Sequence, residues 1–308
     1  MKAVVCKSYR GFEEADYTNF PIPELLPGTV RIKVFACSAS FASLLVMEGK
    51  HQNRAPLPLV PGTELAGEVL EVAEDVKQFR PGDRVVAGVS SGAYAEQVVA
   101  PAQTVFHLPE EISFEIGAQF PTIYGTAWGA FKWRARIQPG EVVLVHGAAG
   151  GSGFAALQVA RAVGARVIAV VGSQDKVDFL KTHGFDEVIN YKSNDFRTEV
   201  LKLTNQRGAD VIFDPVGGEV LDNSLRCIAP EGRLIVIGFA SGVIPNIPAN
   251  IVLVKNVDIV GMYWGFYFGW GKNRSLPTDD ARLRSSFADM FELVKKNILI
   301  PHTHSVFP

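Results

Sequence analysis

The sequence is short of cysteine, of net charge and of long unbroken apolar runs, and each shortage removes a class of protein. Three cysteines in 308 residues, Cys6, Cys37 and Cys227, stand far apart with no C-x-x-C, so neither a disulfide framework nor zinc spacing is present. They read as reduced, buried thiols of a cytoplasmic protein. The net charge is −2, with 30 Lys and Arg against 32 Asp and Glu, so nothing recommends nucleic acid or an anionic membrane as a partner. The opening Met1-Lys2-Ala3-Val4-Val5-Cys6-Lys7 is charged too soon for a secretory signal. The longest uncharged aromatic run, residues 259–271, holds four glycines and is too short to span a bilayer. What remains is a 47% apolar chain of soluble globular composition, long enough for about two domains.

The rest is organised around Val142-Val143-Leu144-Val145-His146-Gly147-Ala148-Ala149-Gly150-Gly151-Ser152-Gly153. The apolar run 142–145 reads as a strand buried on both faces, glycines then turn the chain, and residues 154–163 carry one charge, Arg161, at helical length. A second β-rich run, residues 165–171, completes a βαβ unit. In that setting Gly150 lets the backbone approach a pyrophosphate, Gly153 lets helix and strand pack closely, and the helix N-terminus offers its N–H groups to the anion. Ala149, Gly150, Gly151, Ser152 and Gly153 are the expected contacts. Against G-x-G-x-x-G the window 148–153 has Ala first and Gly third and sixth, so the strand before and the helix after carry the assignment. Glycines that only tighten a turn are the plainer alternative.

NAD-binding units usually end the second strand with Asp or Glu near the adenosine ribose. Here the strand ends Val170-Val171-Gly172, followed by Ser173-Gln174-Asp175-Lys176, and no carboxylate holds that first position. A 2′-phosphate needs cationic or hydroxyl donors, which Ser173, Lys176 and Tyr191 supply beside Gly172, so NADPH is favoured. The plainer reading keeps Ser173 as an N-cap, Asp175 as a first-turn acid and Lys176 as a solvated helix residue.

Taken in order, residues 3–6 and 30–35 read as strands separated by a Pro-rich loop, and residues 41–47 as a short helix closed by Gly49. Residues 56–64 form a proline-stiffened loop. Strands follow over 65–73, 84–86, 93–99 and 104–107, joined by Gly/Pro turns, as in a partly open barrel. After about residue 115 the period changes. Residues 123–133 are helical in spacing, and strands at 187–190, 210–213 and 234–237 alternate with helices at 175–183, 196–204 and 220–227. That alternation predicts a doubly wound parallel sheet whose ligands gather beyond the strands' carboxyl ends. Turns 147–153, 172–176, 215–218 and 238–242 then face one crevice, adding Val216, Gly238, Phe239 and Ala240 as contacts. The aromatic run 262–270 reads as core or interface, or as the wall of an apolar pocket; residues 272–280 read as an exposed loop, and 281–296 as a helix with Leu283, Phe287, Met290, Phe291 and Val294 on one face.

The motifs Gly49-Lys50-His51-Gln52, Val60-Pro61-Gly62-Thr63-Glu64-Leu65-Ala66-Gly67, Arg80-Pro81-Gly82-Asp83-Arg84-Val85, Tyr124-Gly125-Thr126-Ala127 and Asp214-Pro215-Val216-Gly217-Gly218, with the run 146–153, make the chain resemble one family. It is similar to the zinc-independent quinone oxidoreductase, or zeta-crystallin-like, branch of the medium-chain dehydrogenase/reductase superfamily. The resemblance implies an α/β protein with a GroES-like, partly open β-barrel catalytic domain over 1–120 and a Rossmann domain over 121–262. Residues 263–308 would be a shortened return to the catalytic domain, since the family continues through another helix and strand. It also implies NADPH, with Lys176 and Tyr191 near the 2′-phosphate, Thr126, Tyr263 and Trp264 completing the cofactor contacts, and a homodimer or higher oligomer.

Zinc-using relatives place Cys where this chain has Ser40 and His where it has Thr63, and the lone Glu64 left between them cannot hold a tetrahedral zinc. No metal is expected. Without a Lewis acid the acceptor must itself be electrophilic, a quinone or an alkene conjugated to a carbonyl, reduced by hydride from the nicotinamide in a dry slot. Ser40, Phe41, His51, Tyr124, Phe239, Tyr263 and Trp264 are the candidates to line it. His51 reads either as a substrate contact or as a surface-loop histidine, and Tyr124 either as a pocket wall or as helix packing. Many family members carry Asn at the position of Ser40 and Tyr at that of His51, so substrate preference is not carried over. A 2-enoyl thioester or alkenal reductase is the alternative enzyme, and an NADPH-binding scaffold or RNA-associated protein the non-enzymatic one.

Overall fold

In a computed structural model of the protein, which describes residues 1–51, 54–271 and 280–307, the chain divides into two units, Met1–Gly125 with Trp264–Pro308, and Thr126–Tyr263. Gln52 of the 49–52 motif and residues 272–279 of the loop expected over 272–280 lie outside the described residues, and Asp280 instead opens a helix.

The first unit is made of short strands: β1 (Lys2–Cys6), β2 (Ala15–Asn19), β3 (Thr29–Cys37), β4 (Glu64–Val72), β5 (Arg84–Gly88), β6 (Gln97–Pro101) and β7 (Val105–His107). β1 pairs with β2, and the other five form an open antiparallel sheet in the order β6-β3-β4-β5-β7. Period-two burial explains the sheet's sidedness: Val30 and Ile32 of β3 are buried with Leu65, Val69 and Val85, while Lys33 is exposed. β6 begins at Gln97 rather than 93, because the Ala93 and Tyr94 N–H groups are committed to the Gly62 and Pro61 carbonyls at 3.2 and 3.0 Å. Helix α1 (Phe41–Met47) starts at the Ser40 cap and ends where Gly49 donates to the Val46 carbonyl at 3.0 Å. A single turn, α2 (Phe114–Gly117), is capped by Ser113.

Residues 120–135 are helical throughout, yet only α3 (Gly125–Trp128) has α pitch; Phe120–Tyr124 and Gly129–Ala135 are wider π turns that hydrophobic spacing did not reveal. The second unit follows as β8 (Val142–His146), α4 (Gly151–Ala162), β9 (Arg166–Val171), α5 (Gln174–Thr182), β10 (Val188–Asn190), α6 (Phe196–Leu203), β11 (Ala209–Asp214), α7 (Glu219–Cys227), β12 (Ile228–Val236), α8 (Ala249–Lys255) and β13 (Asp258–Gly261). Its six strands are parallel, in the order β10-β9-β8-β11-β12-β13. All five residues of β8 are buried, as a central parallel strand covered on both faces requires. Leu144, Ile168, Ile212 and Leu234 form part of the core, each worth about 1.5–3 kcal/mol of burial.

The chain then returns to the first unit through α9 (Asp280–Lys295). Leu283, Phe287, Met290 and Phe291 are buried; Phe287 stacks on Phe106 with ring centroids 3.7 Å apart, and Phe291 tilts against Phe120 at 5.1 Å. In the aromatic run Met262, Trp264, Phe268 and Trp270 are buried and Phe266 is exposed, so most of it is core. Among the described residues no helix is long and apolar enough to cross a membrane.

Helix α8 was not foreseen, because Ile251-Val252-Leu253-Val254 has no polar period to mark it as a helix. It fully buries no residue, with Ile251 packed half-buried on the core; the ammonium of Lys255 adds a tether, donating to the Leu225, Arg226 and Ile228 carbonyls at 3.0, 3.1 and 3.0 Å around the end of α7. Replacing Lys255→Met should lower stability by about 2 kcal/mol, the scale of hydrogen bonds to a charged group. Denaturant unfolding checks the magnitude, and faster amide exchange confined to residues 249–255 checks the place.

Candidate active site

Because the six strands run parallel, the turns after β8, β9, β11 and β12 share one edge of the sheet. Strand order grows outward from β8 in both directions, so the switch point lies between β8 and β11, beside the glycine turn. A Cβ on Gly153 would collide with the Gly147 carbonyl and come within 2.8 Å of the Ala148 Cα, so α4 can lie this close to the turn only with glycine there. The 12-residue α4 opens at Gly150, which has no side chain to cap it, and its first N–H groups have no partner within the helix. They carry the positive end of the helix, the chemistry a pyrophosphate requires.

Beyond β9, Gly172 lies under the Tyr191 phenol: a Cβ there would be 2.6 Å from its oxygen. Lys176 and Tyr191 are exposed and Ser173 is half-buried. Ser173 precedes α5 but its hydroxyl does not cap the helix; it bonds Asp175 and holds that carboxyl below its usual range. Beyond β11, Asp214 Oδ1 accepts from the Val216 and Gly217 N–H groups at 2.8 and 3.0 Å. Burial raises the Asp214 pKa against those two bonds. Ala240 and Ser241 donate to the Pro215 and Val216 carbonyls, both at 3.0 Å, tying the turn after β12 to the turn after β11. Val216 and Gly238 are half-buried there, with Phe239 and Ala240 exposed. Thr126 and Tyr263 are half-buried. Trp264 is 3% exposed in the first unit, its indole N–H donating to the Pro121 carbonyl at 2.6 Å and its ring against Gly125.

The first unit holds the acceptor-side candidates. Ser40 is half-buried, its hydroxyl accepting from the Ser43 N–H at 3.3 Å and lying 3.1 Å from the Ser43 hydroxyl. His51 is half-buried in the bend after α1, its backbone N–H on the Leu45 carbonyl at 3.1 Å. Tyr124 is buried and stacks on Phe120 with centroids 4.6 Å apart. The cysteine expectation needs a correction: all three are free, but Cys37 is exposed, since it ends β3 on the same face as Lys33. Its thiol is nevertheless pushed up to about 11, by desolvation first and the charge of Glu64 second.

Sequence reasoning noticed Glu64 only as a remnant. It is fully buried, and its Oε2 accepts from the Thr122 and Ile123 N–H groups at 2.8 and 3.2 Å while Oε1 makes no hydrogen bond. Burial raises its pKa to about 8 against the lowering effect of Thr122, Ile123 and the Ser38 hydroxyl. A carboxylate heading an apolar strand was the available signal. The folded protein thus binds a proton that the unfolded chain releases near the ordinary value of 4.5. Stability from this group is full below that value and declines as pH rises toward about 8, by at most about 1.4 kcal/mol per pH unit. Glu64→Gln, whose amide oxygen can still accept both N–H groups, should flatten the fall in melting temperature between mildly acidic and mildly alkaline buffers.

Residues 26–110 match the alcohol dehydrogenase GroES-like domain family, and residues 151–275 the zinc-binding dehydrogenase family. The donors present do not suit zinc: Ser40 and Thr63 are hydroxyls, and among the described residues no three His, Cys, Asp or Glu side chains converge. Quinone oxidoreductase-like protein 2 of Mus musculus is 40% identical over 282 residues, 91% of this chain and 78% of that protein. The structure of Escherichia coli quinone oxidoreductase complexed with NADPH superposes with a TM-score of 0.89 at 26% identity, covering 98% of this chain and 90% of that one. CurK enoyl reductase superposes with a TM-score of 0.86 at 27% identity, covering 100% and 92%. A likeness of this extent, running through both units, makes the chain an oxidoreductase that belongs to the quinone oxidoreductase branch of the medium-chain dehydrogenase/reductase superfamily.

Proposed function

We propose that the protein is a zinc-independent, NADPH-dependent reductase whose acceptor is a quinone or another conjugated, electron-poor compound. The observation that carries this reading is the turn after β9, where Tyr191 overlies Gly172 and Lys176 is exposed, with no carboxylate at the strand's end. A carboxylate there would pair with a ribose hydroxyl, whereas a phenol and an ammonium suit a 2′-phosphate. Bound NADPH would supply the hydride. The start of α4 would hold its pyrophosphate, and Val216 with Gly238, Phe239 and Ala240, fixed through the paired turns, would flank the rest. The hydroxyl of Ser40, and His51 beside α1, are the acceptor-side groups of this reading. The likeness to an NADPH complex supports the cofactor, and the likeness to an enoyl reductase favours an enoyl thioester or alkenal as the second choice of acceptor.

A cytoplasmic homodimer belongs to the same reading. Strand β13 is an open sheet edge, and Ile244, Leu253 and Val254 are 74%, 77% and 80% exposed in the same unit.

An NADPH-oxidation screen over quinones, alkenals and enoyl thioesters, with NADH as control, should show turnover with NADPH well above that with NADH. Lys176→Ala should raise the KM for NADPH roughly tenfold, the loss of one charge-assisted bond, and leave that for NADH nearly unchanged. Equal use of NADH overturns the cofactor assignment; tight NADPH binding with no acceptor reduced favours a scaffold. Leu253→Glu with Val254→Glu should shift the mass measured by light scattering from dimer to monomer.

A further inference from the structure

The turn after β11 bends through two left-handed residues in a row, Gly217 at φ +69° and Gly218 at φ +57°, the most permissive backbone a chain has. It cannot keep one shape by itself, and its neighbours hold it. Asp214, 1% exposed at the end of β11, takes the Val216 and Gly217 N–H groups on Oδ1 at 2.8 and 3.0 Å. From the other side the Gly218 N–H donates to the Val243 carbonyl at 3.1 Å, beside the two bonds from Ala240 and Ser241. The fit is close: a Cβ on Gly217 would come within 2.9 Å of the Phe239 ring, and the Val216 side chain lies 3.9 Å from where a Cβ on Gly147 would be. Val216 is thus set at the glycine turn, on the β11 side of the switch point. A dinucleotide lies across such a reversal with one nucleotide over each half of the sheet. In the reading above the turn after β9 takes the 2′-phosphate, so the nicotinamide half falls to the turn that Asp214 holds.

We infer that Asp214 is a positioning residue of the reduction: through the Val216 and Gly217 N–H groups it fixes the surface that seats the nicotinamide half, and it takes no part in holding the adenosine half. This rests on the NADPH reading above. The carboxyl does not touch the cofactor itself, since Oδ2 is buried without a hydrogen bond and Oδ1 is spent on the turn. Its effect is on geometry, to which hydride transfer is sensitive, a misplacement of about 1 Å costing roughly 100-fold in rate.

The test separates the two halves of the nucleotide. Adenosine 2′,5′-bisphosphate carries the 2′-phosphate and no nicotinamide, and NADPH carries both. Asp214→Ala should weaken NADPH roughly tenfold in a fluorescence titration without acceptor, the scale of a lost bond to a charged group, and return the bound emission toward that of free NADPH. Calorimetry with adenosine 2′,5′-bisphosphate should give wild-type affinity. Asp214→Asn should restore NADPH binding and emission, because its amide oxygen accepts both N–H groups and Oδ2 has no bond to lose. Gly217→Ala, strained at φ +69° against Phe239, should show the same selective loss with the carboxyl intact, and decides the matter if Asp214→Ala does not fold. Wild-type NADPH binding in Asp214→Ala or Gly217→Ala, equal loss of both ligands, or no rescue by asparagine would overturn the inference. If the wild type takes NADH as well as NADPH, the 2′-phosphate reading has failed, and the same titrations with NADH still decide Asp214, because both carry the nicotinamide. Binding of neither overturns both.

Discussion

The contact between α4 and the turn before it constrains everything in the second unit. Gly153 has the Gly147 carbonyl where a side chain would be, so α4 packs backbone against backbone and its open N–H groups sit at the sheet edge rather than above its face. That one approach puts the positive end of a 12-residue helix beside the switch point between β8 and β11. The turns after β11 and β12 then need only be fixed relative to it. Asp214 and the bonds from Ala240 and Ser241 do so without placing another charge at the exposed edge.

The first unit answers a different problem, a carboxyl placed where water does not reach. Thr122 and Ile123 lie in the first turn of the helical run of residues 120–135, and Glu64 takes their N–H groups, which the helix itself does not satisfy. The carboxyl thus gains two donors and the helix loses two orphan donors. The bare Oε1 remains outside this exchange, which is why burial outweighs the bonds in setting the acid's proton affinity.

The sequence disclosed most where one signal dominates. Val142 to Val145 has no polar residue, and only a doubly covered strand tolerates that, so the centre of the parallel sheet was legible with the glycines after it. The missing carboxylate after Val171 was equally plain. Signals failed where tertiary partners decide. Nothing local in Ala249–Lys255 announces a helix held by an ammonium on carbonyls of residues 225–228. Residue type alone reads Cys37 as buried, whereas strand alternation puts it outward with Lys33. The π turns flanking α3 escaped because helical spacing does not distinguish the wider pitch.

The order in which the chain contributes to its two units has a temporal side. Thr126–Tyr263 is one uninterrupted segment, so its sheet is complete when residue 263 leaves the ribosome. The other unit is interrupted: Phe106 and Phe120 wait for Phe287 and Phe291, which are synthesised more than 160 residues later, judged from their numbers. At roughly 5–20 residues per second that delay is about ten to thirty seconds, during which the half-made barrel carries an uncovered aromatic face. The nascent protein therefore passes through an interval in which its parallel-sheet unit is finished and the other unit is the one exposed to chaperones and proteases.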